Sequence, residues 1–130
     1  VIHRANELAD FIATAAEKYA FPPGQLVAVG YSNGANIAAA MMLLRPESIP
    51  AAILFRAMPT LTNSTLPDLR GHRVLLTAGR SDSIIPPEQT RRLTSLLQEA
   101  GAEVELEVQA AGHALVHEDL LVAQRWLAHP

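Results

Sequence analysis

The stretch LVAVGYSNGANIAAAMMLL, residues 26–44, decides the fold. Leu26–Gly30 is a short apolar run with two valines and no polar alternation, which predicts a central strand covered on both faces. Gly34–Leu44 is rich in Ala and Met and predicts a helix, stopped near Pro46. Between them, Gly30-Tyr31-Ser32-Asn33-Gly34 fits the pattern G-x-S-x-G, a sharp strand-to-helix turn that exposes a serine on a strained backbone. The flanking glycines, Gly30 and Gly34, let strand and helix approach closely. The helix start adds positive potential, and the Asn33 N–H is placed to donate to an oxyanion. The same residues also fit an ordinary Gly-rich turn with a capping serine, so the pattern alone does not decide the chemistry.

Working outward, Ala5–Tyr19 carries Leu8, Phe11 or Ile12, Ala15, Ala16 and Tyr19 at helical spacing. The sequence FPPG at 21–24 then forces a turn. Ala52–Phe55 predicts a second buried strand, followed by a loop with Pro59, Pro67 and several Thr, Ser and Asn. Val74–Ala78 predicts a third. A helix from Pro87 to Ala100 presents Leu93, Leu96, Leu97 and Ala100, with Gly101 as its stop. EVELEV, residues 103–108, alternates strictly: three glutamates on one side, Val104, Leu106 and Val108 on the other. That charge suits an edge strand. A last helix, His117–His129, presents Leu120, Ala123 and Leu127. Strands alternating with helices predict the α/β class: a parallel sheet of about four strands with helices on both faces, in a single domain over residues 1–130.

The 130 residues are 49% apolar and 18% charged, enough for a packed core and against disorder. A net charge of −3 argues against a nucleic-acid partner, which needs clustered Lys and Arg. The absence of cysteine excludes disulfides and thiolate metal sites, and fits a cytoplasmic setting. No apolar run reaches the roughly 18 residues that span a bilayer, and VIHRANELADF lacks the pattern of a signal peptide, so no membrane partner is expected. The histidines lack ligand spacing and G-x-S-x-G does not cradle phosphate, so neither metal nor cofactor is expected.

A serine hydroxyl is a poor nucleophile near neutral pH; it needs a base, and the base needs an orienting acid. After a serine placed this way, both follow in chain order at the C-terminal ends of later strands. Asp82 lies directly after Val74–Ala78, and His113 lies in AAGHAL after the fourth strand. Asp82 also fits a turn or capping role. Asp68 falls at the wrong end of the sheet, and Asp10 and Asp119 fall inside helices. Among the histidines, His72 points to the wrong rim, and His3 and His129 lie near the termini. His117, at the start of the last helix, is the competitor to His113 and reads as a capping or surface residue. Met58, in FRAMPTL at the same rim, is a candidate wall of a substrate pocket, as are Ile84 and Ile85. Met41 and Met42 read as core.

With these residues in place, the chain resembles the α/β-hydrolase superfamily, and more narrowly the phospholipase/carboxylesterase group of small serine esterases, close to the dienelactone hydrolases. The resemblance covers nearly the whole chain and rests on VAVGYSNGANIAAAMMLLRPE, VLLTAGRSDSIIPPEQTRRL and AGHAL. It implies Ser32 as nucleophile, Asp82 as triad acid and His113 as base. The dienelactone hydrolases proper usually carry cysteine as nucleophile, and Ser32 departs from that pattern. Ser83 stands where such loops often have proline.

The resemblance also implies more chain before the nucleophile strand, with further strands and a His-Gly loop supplying a second oxyanion donor. The chain starts at Val1, with no His-Gly pair in its first thirty residues. The expectation is therefore the C-terminal part of a larger esterase. The Leu26–Gly30 strand would lie at a sheet edge, covered by a second copy or by an N-terminal segment. The expected function is hydrolysis of small carboxylic esters through an acyl-enzyme on Ser32. Alternatives are a non-catalytic fragment or interaction module, and a thioesterase using the same triad.

Overall fold

A strand that is apolar at every position, as Ala51–Phe55 is, needs cover on both faces, and it has it in the middle of the sheet. The computed structural model describes residues 1–61 and 65–129. It runs α1 (Ile2–Tyr19), a short 3-10 turn (Pro23–Gln25), β1 (Val27–Tyr31), α2 (Asn33–Leu44), β2 (Ala51–Phe55), β3 (Arg73–Gly79), α3 (Pro87–Glu99), β4 (Glu103–Gln109) and α4 (His117–Ala128). Residues 62–64, part of the loop expected between Phe55 and Val74, lie outside the described residues. The strands pair in parallel, in the order β1-β2-β3-β4.

The register aligns Val29 with Ile53, Ile53 with Leu75, and Leu75 with Glu105. These side chains share one face of the sheet. There, Val122, Ala123 and Trp126 of α4 pack on Ala51, Ile53, Phe55 and Leu75. On the opposite face Ala52, Leu54, Val74 and Leu76 lie under α1, α2 and α3. Helices thus cover both faces, three on one and one on the other. Gly101 ends α3 as expected: at φ 104° its N–H donates to Gln98 O (3.0 Å), and Ala102 N–H donates to Leu97 O (3.0 Å). β4 forms the charged edge, with Glu103 and Glu105 exposed.

Three local readings need correction. β1 lies at the other edge, as its place in chain order implies, but the cover expected on both its faces is not there: Val27, Val29 and Tyr31 are exposed where α4 does not extend. In α1 Ala16 is buried and Ile12 half-buried as expected, but Ala5 and Ala9 complete the stripe, while Leu8, Phe11 and Tyr19 are exposed. Small residues let α1 approach α2 closely, so they win the interior over the larger ones. In α4, Ala123 is buried as expected, but Val122 and Trp126 join it and Leu120 and Leu127 are exposed. Among the described residues, no helix is long and apolar enough to cross a membrane.

Candidate active site

β1 ends at Tyr31 and α2 begins at Asn33, so one residue makes the whole turn. Ser32 carries it at φ 54° and ψ −115°, a conformation that costs a residue with a side chain about 1–3 kcal/mol. Its N–H donates to Phe55 O at 2.9 Å, and its carbonyl accepts the Asn36 N–H at 2.9 Å. These two bonds hold the strained turn between β2 and the first turn of α2. A Cβ on Gly30 would lie 2.6 Å from Ala35 N and 2.7 Å from Gly34 C, so only glycine lets α2 begin this close to β1. A Cβ on Gly34 would meet nothing within 4 Å. The close approach therefore belongs to Gly30 alone.

The next two loops converge on Ser32 from β3 and β4. Ser81 N–H and Oγ both donate to Ala111 O, at 3.0 and 3.1 Å, which laces the loops together. His113 Nδ1 lies 2.9 Å from Asp82 Oδ2, and His113 Nε2 lies 3.0 Å from Ser32 Oγ. A carboxylate only accepts, so Nδ1 carries the proton and the Nε2 lone pair faces the hydroxyl.

Asp82 is buried, while Ser32 and His113 are half-buried. The other Asp82 oxygen accepts the N–H groups of Ile84 and Ile85, at 2.9 and 2.8 Å. Burial pushes the carboxyl up. The Ile85 amide, His113 and the Ile84 amide together pull it further the other way, so it sits below the ordinary carboxylate value. Asp82 is therefore ionised at neutral pH and faces the ring that would become an imidazolium. Asn33 opens α2, so its N–H is one of the first-turn donors without an intrahelical partner, at the positive end of the helix.

Of the residues singled out in the sequence, Ser32, Asp82 and His113 come together, with Asn33 beside them. Met58 is half-buried, and its N–H donates to Asn36 Oδ1 at 2.9 Å, tying the loop after β2 to α2. The Ile85 side chain is buried and that of Ile84 is 67% exposed; both reach Asp82 through their N–H groups. His117 is exposed at the start of α4. His72 lies on the opposite rim, its Nε2 2.7 Å from Pro46 O. Among the described residues, no group of three or more His, Asp or Glu is placed to hold a metal ion.

Sequence reasoning passed over two residues that touch the His113 loop. Tyr31 Oη donates to His113 O at 3.0 Å, and its ring centroid lies 5.2 Å from that of the imidazole. Arg56, fully buried, bonds to the loop from below. Its one signal in the sequence is an arginine inside the apolar run AAILFRAM, residues 51–58.

A parallel sheet with helices on both faces, and a strained serine between strand and helix, defines an α/β hydrolase of carboxylesterase-like build. The model of the dienelactone hydrolase family matches residues 3–122, and the chain belongs to that family. A Bacillus subtilis (strain 168) protein called "Putative hydrolase MhqD" is 36% identical over 126 residues, which cover 97% of this chain and 63% of that protein. The crystal structure of the Bacillus cereus carboxylesterase superposes with a TM-score of 0.94 at 34% identity, over 98% of this chain and 60% of that one. A carboxylesterase from Mesorhizobium loti gives 0.88 at 34% identity, over 97% and 60%. The chain thus spans about three fifths of the length of the relatives it matches.

Proposed function

We propose that this chain carries the catalytic residues of a serine carboxylesterase acting on small carboxylic esters. The observation that carries the reading is the continuous line Asp82–His113–Ser32, with links of 2.9 and 3.0 Å. His113 Nε2 takes the hydroxyl proton as Ser32 Oγ attacks the ester carbonyl carbon. The carbonyl oxygen becomes an oxyanion beside the Asn33 N–H and the start of α2. On collapse the C–O bond to the alcohol breaks, and His113 returns the proton to the departing oxygen. A water molecule, deprotonated by the same nitrogen, then cleaves the acyl-enzyme. Asp82 holds the tautomer and offsets the imidazolium charge throughout. The carboxylesterase names of the relatives support the ester class; a thioester would use the same steps.

The test is covalent labelling by a fluorophosphonate probe, alongside p-nitrophenyl acetate hydrolysis. Stoichiometric labelling lost in Ser32→Ala and His113→Ala is expected. No labelling of folded protein, or labelling that survives Ser32→Ala, removes the proposal.

The exposed β1 edge favours a second reading, in which the same residues stand in a chain that turns over only when that edge is covered. We propose that the cover is either a second copy or a preceding segment of chain. An oxyanion hole with one donor in place of two would by itself lower the rate by about 10²–10³. Ser32-dependent turnover by a monomer at a rate typical of esterases excludes this second reading.

A further inference from the structure

Arg56 has no exposed surface, yet the ester chemistry above makes no use of it. It follows β2 at φ 58°, a left-handed conformation that L residues with side chains rarely adopt. Its own N–H donates to Thr77 O at 2.9 Å, which fixes that backbone. The guanidinium presents five N–H donors in a rigid plane, and all five are taken. Nε donates to Gly112 O and Nη2 to Ala114 O, both at 3.1 Å. Nη1 donates to Thr77 Oγ1 at 2.8 Å. The remaining two donors meet Asp119, Nη1 to Oδ1 at 2.9 Å and Nη2 to Oδ2 at 2.8 Å.

Gly112 and Ala114 are the residues on either side of His113. Two carbonyls that bracket the imidazole thus point at one immobile cation. Asp119, itself fully buried in the first turn of α4, also accepts the Val116 N–H at 2.9 Å. The loop is therefore pinned before His113, just after it, and where it enters α4. The pair gathers the ends of β2 and β3, the His113 loop and α4 at one point. A buried ion pair of this kind is weak evidence for stability, because desolvation offsets much of its attraction. The planar fork is the feature that a lysine could not reproduce, since an ammonium cannot reach both carbonyls and both carboxylate oxygens in one plane.

We infer that Arg56, held by Asp119, is a positioning residue for His113: it sets the loop so that the imidazole bridges Asp82 and Ser32. The inference rests on the reading of His113 as the catalytic base. Two variants test it. Arg56→Lys keeps a positive charge opposite Asp119 but not the fork. The double variant Arg56→Met/Asp119→Leu removes both charges, so neither is left unpaired. Three readouts are compared with the wild-type chain: circular dichroism with urea unfolding, the fluorophosphonate labelling rate at Ser32, and the His113 Nδ1–H resonance and ring titration by NMR.

Both variants are expected to fold, to lose or broaden the Nδ1–H resonance, and to label about 10²-fold more slowly, the cost of displacing a catalytic group by about 1 Å. Folded variants with the resonance, titration and labelling rate of wild type overturn the inference. If both variants fail to fold, the pair is a folding element, and that also counts against it. If wild-type Ser32 does not label at all, the esterase reading fails separately. The NMR signal still decides the point: persistence in both variants refutes the positioning role, and its loss supports it.

Discussion

A methyl group at position 30 has no space that a side chain could vacate, since its nearest neighbour, Ala35 N at 2.6 Å, is backbone. Gly30→Ala must therefore push the start of α2 off β1, at an expected cost of about 1–3 kcal/mol in unfolding free energy. Ser32 sits on the displaced turn, so labelling by a fluorophosphonate should slow as well. Gly34→Ala meets only open space and should stay within about 0.5 kcal/mol of wild type. Equal urea midpoints for the two variants would contradict this asymmetry. Asp82 gives a prediction in pH. Its carboxyl lies below the ordinary carboxylate value, about 3.9, in the folded chain. The folded state thus binds its proton less readily than the unfolded state does. The resulting stability is fully present above that ordinary value and is lost as pH falls through the lower, folded one. Asp119 has the same sign: burial raises its carboxyl, while Arg56 and the Val116 N–H more than reverse it. The urea midpoint should fall between pH 5 and pH 2.5, and by less in Asp82→Asn, which cannot titrate there. An identical fall in both proteins would show that Asp82 contributes nothing to the acid limb.

Elements differ in how plainly their sequences announce them. α3 and β4 were legible because their apolar residues recur with one period only, and Gly101 marks the end of α3 with a conformation that favours glycine. The convergence of the three site residues was legible for a related reason. Ser32, Asp82 and His113 each stand in the loop directly after a strand, so placing the strands placed the residues. β1 resisted because an unbroken apolar run carries no record of which of its faces is covered. Its true alternation, Ala28 and Gly30 inward against α2, Val27, Val29 and Tyr31 outward, appears only once its place in the sheet is known. α1 was misphased because alanine is too small to signal burial, yet Ala5 and Ala9 are what let it lie against α2. The Arg56–Asp119 pair joins residues 63 positions apart and depends on β2, β3 and α4 being assembled first. No local pattern could have revealed the partner of an arginine inside an apolar run.

At the scale of the whole molecule, the two sheet edges contrast. β4 carries glutamates at 103, 105 and 107, which discourage another strand from pairing there. β1 has no charge, pairs only with β2 among the described residues, and presents Val29 at 63% exposure between Val27 and Tyr31. On the helices, Leu8 and Phe11 are also exposed and border a concavity with Arg4, Glu7 and Ile37. An uncharged edge of this kind is a template for strand addition. Tyr31 makes that edge matter to the site, because its hydroxyl bonds to the His113 carbonyl at 3.0 Å. Cover over β1 would therefore steady His113 as well as remove apolar surface from water. If the edge is an interface as proposed, light scattering on this chain should show a mass that rises with concentration. Val29→Lys, which places a charge in the middle of the strand, should shift the chain toward monomer and remove the dependence of its urea midpoint on protein concentration. If a preceding segment covers the edge instead, a version extended at its N-terminus by that segment should be monomeric and hydrolyse p-nitrophenyl acetate faster than the chain alone. A chain that stays monomeric at tens of micromolar, unaffected by Val29→Lys and no more active when extended, would mean that β1 tolerates water as it stands.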